Sequence, residues 1–519
     1  MDESQRATLR NTARYLRDVR PIDPEEVFEY VDGQPHPGIV KQELRSMAPT
    51  LGLVETAEGT FVPVSEASVP AWRERGEAER ECVEALPDEH ARRLEDLLAD
   101  RYGSGWPDGE RGDRLRARLR AVKEHYLHGS DVEYDDETAL AYAVYHLPAY
   151  YASVQYVLDD LAKADLLGRQ LRVLDVGAGV GGPALGLADY LPDDALVDYH
   201  AVEPAAAADV LETMLDGTGR NVHTTVHRET AEAFDPTAPL AAGERGGGGR
   251  DGDEDSGGDG SDDAPAAWDL VLFANVLAEL DDPSTTARRY LDAVASDGSF
   301  LALAPADRNT AMGLRGVERA LADHSGGDAA TVWAPTLRLW PDVAPADECW
   351  SFDVRPDLAV PAFQRSLDEG ERAATPGPED RQPGDGEFVN VDVQFAYSVL
   401  RRDGRRAIDF RPSRDRFARL ADSAAHVTDR VNVAAVKLSH DLTDTSDANP
   451  LFRVGDGSQQ DDHFAVLVEE DALNAPLREA DYGDLLTFER VLVLWNDDEG
   501  AYNLVVDDEV VVEAAPVPP

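Results

Sequence analysis

Lysine is almost missing from this chain of 519 residues: Lys41, Lys123, Lys163 and Lys437 are all there is, so arginine supplies nearly all of the 49 basic side chains. Against them stand 102 acidic residues and a formal net charge of −53. An acid excess spread along the whole length, with arginine in place of lysine, reads as halophilic adaptation to molar intracellular salt. In 1 M salt the Debye length is about 3 Å, so bulk charge neither implies nor excludes a polyanionic partner, and local arginine clusters must decide. A disordered acidic chain is excluded, because 42% of residues are hydrophobic and strand and helix patterns recur. Cysteine is scarce too. Cys82 and Cys349 are far apart in sequence, which excludes a disulfide framework and a thiolate-only four-ligand metal site, and no other metal site is read. No run approaches the roughly 18 apolar residues of a membrane span, and Met1 to Gln5 carries no apolar signal region. A soluble, cytoplasmic protein of three or so domains is expected.

What the chain does have is Leu171-Arg172-Val173-Leu174-Asp175-Val176-Gly177-Ala178-Gly179-Val180-Gly181-Gly182. An apolar run, an acid, three glycines at alternate positions and a helix-forming stretch describe a buried parallel strand whose tight turn opens a helix. Glycines suit a loop that a ligand approaches closely. Asp175, Gly177, Gly179 and Gly181 fit the D-x-G-x-G-x-G turn with which methyltransferases cradle S-adenosylmethionine (SAM). Gly177, Gly179 and Gly182 also satisfy G-x-G-x-x-G, the dinucleotide fingerprint. A second strand, Val197 to Val202, ends in Glu203, placed to accept hydrogen bonds from ribose hydroxyls of either cofactor. Asp175 ahead of the first glycine favours SAM over NAD. Asn275, after the strand Trp268 to Ala274, is a further candidate for the cofactor site.

The expected organisation has four parts. Residues 1–68 read as three helices and a hairpin, a winged-helix-like pattern. Residues 69–137 are helical and charged, with five arginines and one lysine against two acids between Arg111 and Glu124. Residues 138–408 read as an α/β doubly wound, Rossmann-like parallel sheet, with Phe388 to Leu400 as a late strand pair. Tyr142, Tyr145, Tyr150, Tyr151 and Tyr156 precede its first strand and read as packing on the sheet edge, with some bordering the cofactor pocket. A Gly/Asp tract at 241–264 is expected to be disordered, and 366–386 to form an acidic surface loop. Residues 409–519 carry about five short strands and a helix-like Ala480 to Leu486, which together suggest an OB-type barrel, a frequent platform for single-stranded nucleic acid. At its entrance, Arg401 to Arg419 holds eight arginines against three aspartates, with Arg405, Arg406, Arg411 and Arg414 as candidate RNA contacts. An arginine-rich linker pairing with the protein's own carboxylates is the alternative, as an amphipathic helix with a solvated face is for Arg111 to Glu124.

Methyl transfer needs in-line positioning more than a dedicated acid or base, so no catalytic residue is assigned. Asn275-Val276-Leu277-Ala278 lacks the prolines and aromatic used to methylate exocyclic amines of bases, and no cysteine nucleophile for cytosine carbon lies near that strand. The stretches Ala141-Tyr142-Ala143-Val144-Tyr145-His146-Leu147-Pro148-Ala149-Tyr150-Tyr151-Ala152, Asn275 to Leu280, Trp333-Ala334-Pro335, Glu348-Cys349-Trp350-Ser351-Phe352, Phe363-Gln364-Arg365 and Phe395 to Arg402 together resemble the methyltransferase-like assembly factor of the mitochondrial small ribosomal subunit and its prokaryotic relatives. The resemblance covers roughly residues 138–405 and implies a SAM-binding protein that methylates, or assists assembly of, the small subunit, with ribosomal RNA or a pre-ribosomal particle as partner. Two departures stand out. Thr336 follows Ala-Pro where the family's cysteine is expected, so no iron–sulfur cluster is expected here. Leu303-Ala304-Pro305-Ala306 lacks the acid usually found before proline. A non-catalytic RNA-binding assembly factor and an NAD(P)-dependent oxidoreductase stay open as alternatives.

Overall fold

The computed structural model describes residues 1–75, 82–128, 135–204, 206–245, 267–322, 330–340, 350–374, 386–443 and 448–515. Cys349, most of the 241–264 tract and the 375–385 part of the acidic loop fall outside them. The chain divides into two compact units, one of residues 1–274, 289–298 and 357–392, the other of 275–288, 299–356 and 393–519. The division therefore passes through the segment 138–408 that reads in sequence as one α/β domain.

The first unit opens with helices Glu3–Arg17, Pro24–Val27 and Pro37–Leu51 and an antiparallel hairpin, β1 (Leu53–Glu55) and β2 (Phe61–Pro63). Its helix starts are written in the sequence. Asp2 and Gln5 form a reciprocal capping box, and the Asp23 carboxylate accepts from the Glu25 N–H ahead of Pro24 at the first helical position. Leu9, Val40, Leu44, Leu53 and Phe61 close a small core that Leu196 joins.

Four parallel strands follow: β3 (Gln170–Val176), β4 (Leu196–Val202), β5 (Val222–His227) and β6 (Trp268–Ala274), in the order β5-β4-β3-β6. The chain leaves β3 towards β4 on one side and returns to β6 on the other. That reversal puts the end of β3 at the switch point where open α/β sheets bind ligands. Two helices meet there, Asp136–Lys163 and Gly182–Tyr190. A Cβ on Gly182 would lie 3.0 Å from the Leu147 carbonyl, and one on Gly186 only 2.4 Å from that of Tyr151, so the crossing is closed to any larger residue.

Pro148 sits inside the longer helix. Having no N–H, it cannot complete the helical bond to the Val144 carbonyl four residues back. Gln364, fully buried, makes that bond instead: its Nε2 donates to Val144 O at 2.8 Å, while its Oε1 accepts from Asn390 N at 3.1 Å. Gln364 lies on a helix, Ala362–Ala374, which corrects the expectation of a loop from 366 onward. The first proline of that range is Pro376, past the helix, and Phe363, Gln364, Leu367 and Asp368 are buried at helical spacing.

In the second unit β7 (Val294–Pro305), β8 (Thr331–Ala334) and β9 (Asp353–Arg355) each pair with β10 (Val393–Arg401), and every pairing is antiparallel. Two expectations are corrected here. The paired strands of this unit are antiparallel rather than parallel, and Phe388 to Leu400 yields one strand rather than a pair. A run buried on both faces, as β10 is from Phe395 to Arg401, carries no sign of its direction.

The C-terminal strands β11 (Arg430–Lys437), β12 (Leu451–Gly455), β13 (His463–Leu467), β14 (Leu485–Asn496) and β15 (Ala501–Val506) close a five-stranded barrel in the order β11-β12-β13-β15-β14-β11. Only β13 and β15 run parallel, and β16 (Val511–Ala514) adds to β14. The helix expected at Ala480 to Leu486 is instead Pro476–Glu479, and Leu485 already belongs to β14. Asp456, fully buried, ties the turn after β12 together. Its carboxylate accepts from Trp340 Nε1 at 2.8 Å, Leu420 N at 2.9 Å, and the amide and hydroxyl of Ser458 at 2.8 and 2.7 Å.

Replacing Gln364 with alanine would leave the Val144 carbonyl buried without its donor. The expected loss is about 1–3 kcal/mol of unfolding free energy, read from denaturant melts in molar salt. An unchanged melt would show that the helix satisfies its proline gap in another way.

Candidate functional site

The loop after β3 is built from three glycines that all take left-handed backbone angles, Gly177 (φ 67°), Gly179 (φ 56°) and Gly181 (φ 92°). Residues with a Cβ are strained there. Gly177 N donates to Val202 O at 2.8 Å, which holds the start of the loop against the end of β4. Glu203, the next residue, accepts from Gly179 N at 2.8 Å through Oε2. The two halves of the expected cofactor cradle, glycine loop and acid, are thus in direct contact. Around Gly179 the space is open, since an added Cβ would meet only the Gly177 carbonyl, at 4.0 Å.

Asp175 lies beneath the loop, fully buried. Its Oδ2 accepts a short hydrogen bond from the Tyr199 hydroxyl. Among the described residues its Oδ1 has no hydrogen-bond partner. Burial dominates its chemistry and pushes its pKa up to about 7, with the Tyr199 bond pulling weakly the other way. The same burial and the neighbouring carboxyl drive the Tyr199 phenol well above its ordinary value. Tyr199 was not singled out in the sequence. Its signal is register: Asp175 pairs with Ala201, so Tyr199 lies two residues back along β4, on the face shared with Asp175.

Asp175, Gly177, Gly179, Gly181 and Glu203 are therefore brought together in the first unit. Asn275 belongs to the second. It is 8% exposed with a left-handed φ of 63°, and its N–H donates to Leu303 O at 3.0 Å. Two further features passed unnoticed in sequence. His200 Nδ1 and His227 Nε2 lie 2.9 Å apart on neighbouring strands, with Asp198 Oδ1 at 3.3 Å from His200 Nε2. Among the described residues one cluster, Glu89, His90 and Asp189, brings metal-ligating types within 4.8 Å. His90 Nε2 and the Tyr151 hydroxyl each lie 2.8 Å from Asp189 Oδ2, a hydrogen-bonded network that accounts for their proximity.

Within the basic helix Gly109–His128, Arg116 is turned inward, Arg118 is half-buried, and Arg111, Arg114 and Arg120 are exposed. Arg116, 1% exposed, donates to the carbonyls of Pro107 and Leu367 at 2.9 and 3.0 Å. Arg114 pairs with Glu137, Arg118 with Asp135 and Arg120 with Glu387. Lys123 donates to the Glu387 carbonyl and lies 4.3 Å above the Tyr145 ring. At the entrance to the barrel, Arg401 is buried against Asp403 and Ser299, Arg416 pairs with Glu489 and Arg419 with Asp422. Arg405, Arg406, Arg411 and Arg414, the four candidate RNA contacts, are exposed.

Residues 421–515 match a family described as the C-terminal domain of DUF8157, a domain of unknown function, and residues 6–57 match its N-terminal domain. Both matches lie outside the glycine loop. No curated protein matches the chain. Among solved structures it is similar to the plantazolicin methyltransferase BpumL in complex with SAH, at 8% identity over 60% of this chain and 99% of that one, with a TM-score of 0.27. It is similar also to the mitomycin 7-O-methyltransferase MmcR, at 14% identity over 58% and 75% with a TM-score of 0.22. A S-adenosylmethionine-dependent methyltransferase from Clostridium acetobutylicum ATCC 824 gives 9% identity over 42% and 64% with a TM-score of 0.21. Overlaps this slight carry no argument, and the site rests on its own geometry.

Asp175 gives a signed pH dependence. Folding raises its pKa from the ordinary 3.8 to about 7, so between those values the folded chain holds a proton that the unfolded chain has lost. Stability from this group is complete below about pH 4 and is lost as pH rises through 7. Asp175→Asn removes the burden. Relative to wild type it should gain stability progressively from pH 4 to 8, on the order of 2–4 kcal/mol at the upper end, in parallel denaturant melts. A difference that stays flat with pH would show that Asp175 is not held neutral.

Proposed function

We propose that this chain is a SAM-binding protein of methyltransferase fold that acts on, or assists assembly of, the small ribosomal subunit through its RNA. The observation that carries the cofactor half is the loop itself: three left-handed glycines, with the Gly179 N–H held by the acid that ends the next strand. The residues present fit SAM. Among the described residues no partner meets one buried oxygen of Asp175 beneath the loop, and an added Cβ at Gly179 would meet only the Gly177 carbonyl, at 4.0 Å. When bound, SAM supplies a methyl group activated by its sulfonium. Gly177, Gly179 and Gly181 would admit it to the backbone, Asp175 would order the loop, and Glu203 would take the ribose hydroxyls.

The ribosomal half rests on the family resemblance and on the barrel. Its strand order, with the third and fifth strands parallel, supports the OB-type reading, and OB barrels commonly carry single-stranded nucleic acid. The three helices and hairpin at the N-terminus support the winged-helix-like reading. A second reading, a non-catalytic RNA-binding assembly factor, is favoured by Ala304, which stands where the resembling family has an acid, and by Asn275 to Ala278, which lack the base-methylating prolines.

Transfer of labelled methyl groups from SAM to immature small subunits separates the two. Incorporation lost in Asp175→Ala supports the enzyme, whereas RNA crosslinking without incorporation supports the assembly factor. Gly179→Asp fills the open approach and adds charge at a strained φ. It should weaken SAM binding at least about tenfold in calorimetry, roughly 1.4 kcal/mol or more. Binding as tight as wild type would remove the loop from the cofactor site. Replacing Arg405, Arg406, Arg411 and Arg414 together with glutamine should weaken RNA association and leave SAM binding intact. Unchanged RNA binding would make that segment a linker.

A further inference from the structure

Strands β12, β13, β15 and β14 are neighbours in the barrel wall, and their register sets residues in rungs across it. One rung, Phe452, Ala465, Leu504 and Val493, points inward and is buried in the barrel core. The rungs on either side point outward. They read Leu451-Val466-Val505-Leu492 and Arg453-Phe464-Asn503-Leu494, and every one of these residues is at least partly exposed. Asn503 and Arg453 are the only polar members, and none is acidic. A barrel wall with water outside alternates apolar inward with polar outward. These strands are apolar on both faces, the pattern of a wall covered on both sides. Among the described residues no other helix or strand packs broadly over β12, β13 or β15.

The charges that border this face are committed within the chain. Arg453 pairs with Asp462, donates to the Trp350 carbonyl at 2.5 Å and lies over the Phe464 ring, 5.6 Å from its centre. At the opposite border Arg430 pairs with Asp507 at 2.6 Å and Arg490 with Glu509 at 2.8 Å. A phosphate chain would have to take its guanidinium groups out of these pairs, and a basic segment would have to take their carboxylates. The surface that complements an uncharged apolar face with a neutral, ion-paired rim is another of the same kind.

We propose that this outer barrel face is where a second copy of the chain docks, face to face about a two-fold axis. The contact is isologous, so both copies supply the same rungs. Leu451, Val466, Val505 and Leu492 form its dry centre, and the Arg453–Asp462 and Arg430–Asp507 pairs its polar rim, as in homodimer interfaces generally. Removal of apolar surface from water drives it. Each chain carries a net charge of −53, but in molar salt the Debye length of about 3 Å confines repulsion to the immediate rim, where the bordering charges are paired. The docking face is independent of the cofactor reading.

Sedimentation velocity of the full chain in molar potassium chloride, over a dilution series, should give twice the mass of one chain. Val466→Glu and Asn503→Glu each set an unpaired carboxylate within the contact and should raise the dimer dissociation constant at least about tenfold. Asn503 is already polar, so its glutamate variant spares the fold, and unfolding midpoints check both. Val466→Ile keeps the face apolar and should stay within about threefold of wild type. Tyr15→Glu, at a 74% exposed position of the first helix, should leave the constant unchanged. A wild-type chain that stays monomeric up to its solubility limit overturns the proposal. So does a dimer that the folded glutamate variants leave intact, or one that Tyr15→Glu dissolves. A monomeric wild type whose binding to a single-stranded oligonucleotide is lost in Asn503→Glu would give the face to nucleic acid and equally overturn it.

Discussion

The close crossing of two helices at Gly182 and Gly186 is the constraint on which the first unit's site depends. A Cβ at Gly186 does not fit the present approach of Asp136–Lys163 and Gly182–Tyr190, and one at Gly182 would need its neighbours to give by a few tenths of an ångström. Because the helices approach so closely, the glycine loop is pressed between β3, the end of β4 and a helix whose proline gap is closed by Gln364. The same crossing sets Tyr150 beside the first turn of the shorter helix. Backbone geometry here is decided by missing atoms: a Cβ at two glycines and an N–H at Pro148.

Charge is used in the opposite way from what the bulk figure suggests. A chain with twice as many acids as bases has few cations to spare, and many described arginines are committed to internal work. Arg116 and Arg401 are buried as hydrogen-bond hubs, and Arg315 pairs with Glu318 while donating to the Tyr397 carbonyl at 2.9 Å. A guanidinium keeps its charge when buried and offers five donors in a fixed fork, which an ammonium does not. That property explains why arginine fills such positions irrespective of salt. A local excess of basic letters is thus a poor guide to a nucleic-acid surface here: Arg116 of the 111–124 helix is buried, and the more exposed Arg114, Arg118 and Arg120 pair with the protein's own carboxylates.

Much of the first unit was legible because its signals are local. The strand–glycine–helix turn and the acid ending the next strand each depend on a few adjacent residues, and both took the expected form. The five barrel strands were legible for the same reason. What escaped reading depends on distant partners. The direction of β10 is set by neighbours on both sides. The helix Ala362–Ala374 runs into acid- and Pro/Gly-rich letters that also describe a loop. Tyr199 acquires its meaning only through pairing of β3 with β4.

The claim on which the rest turns is that the loop from Gly177 to Gly181 takes an adenosyl sulfonium cofactor rather than a dinucleotide. Titration calorimetry of the full-length wild-type chain in molar salt, with SAH in one experiment and NADH in another, tests it directly. Saturable binding of SAH to one site with no heat from NADH is the predicted result. Binding of NADH without SAH, from a chain shown to be folded by its melt, would contradict it.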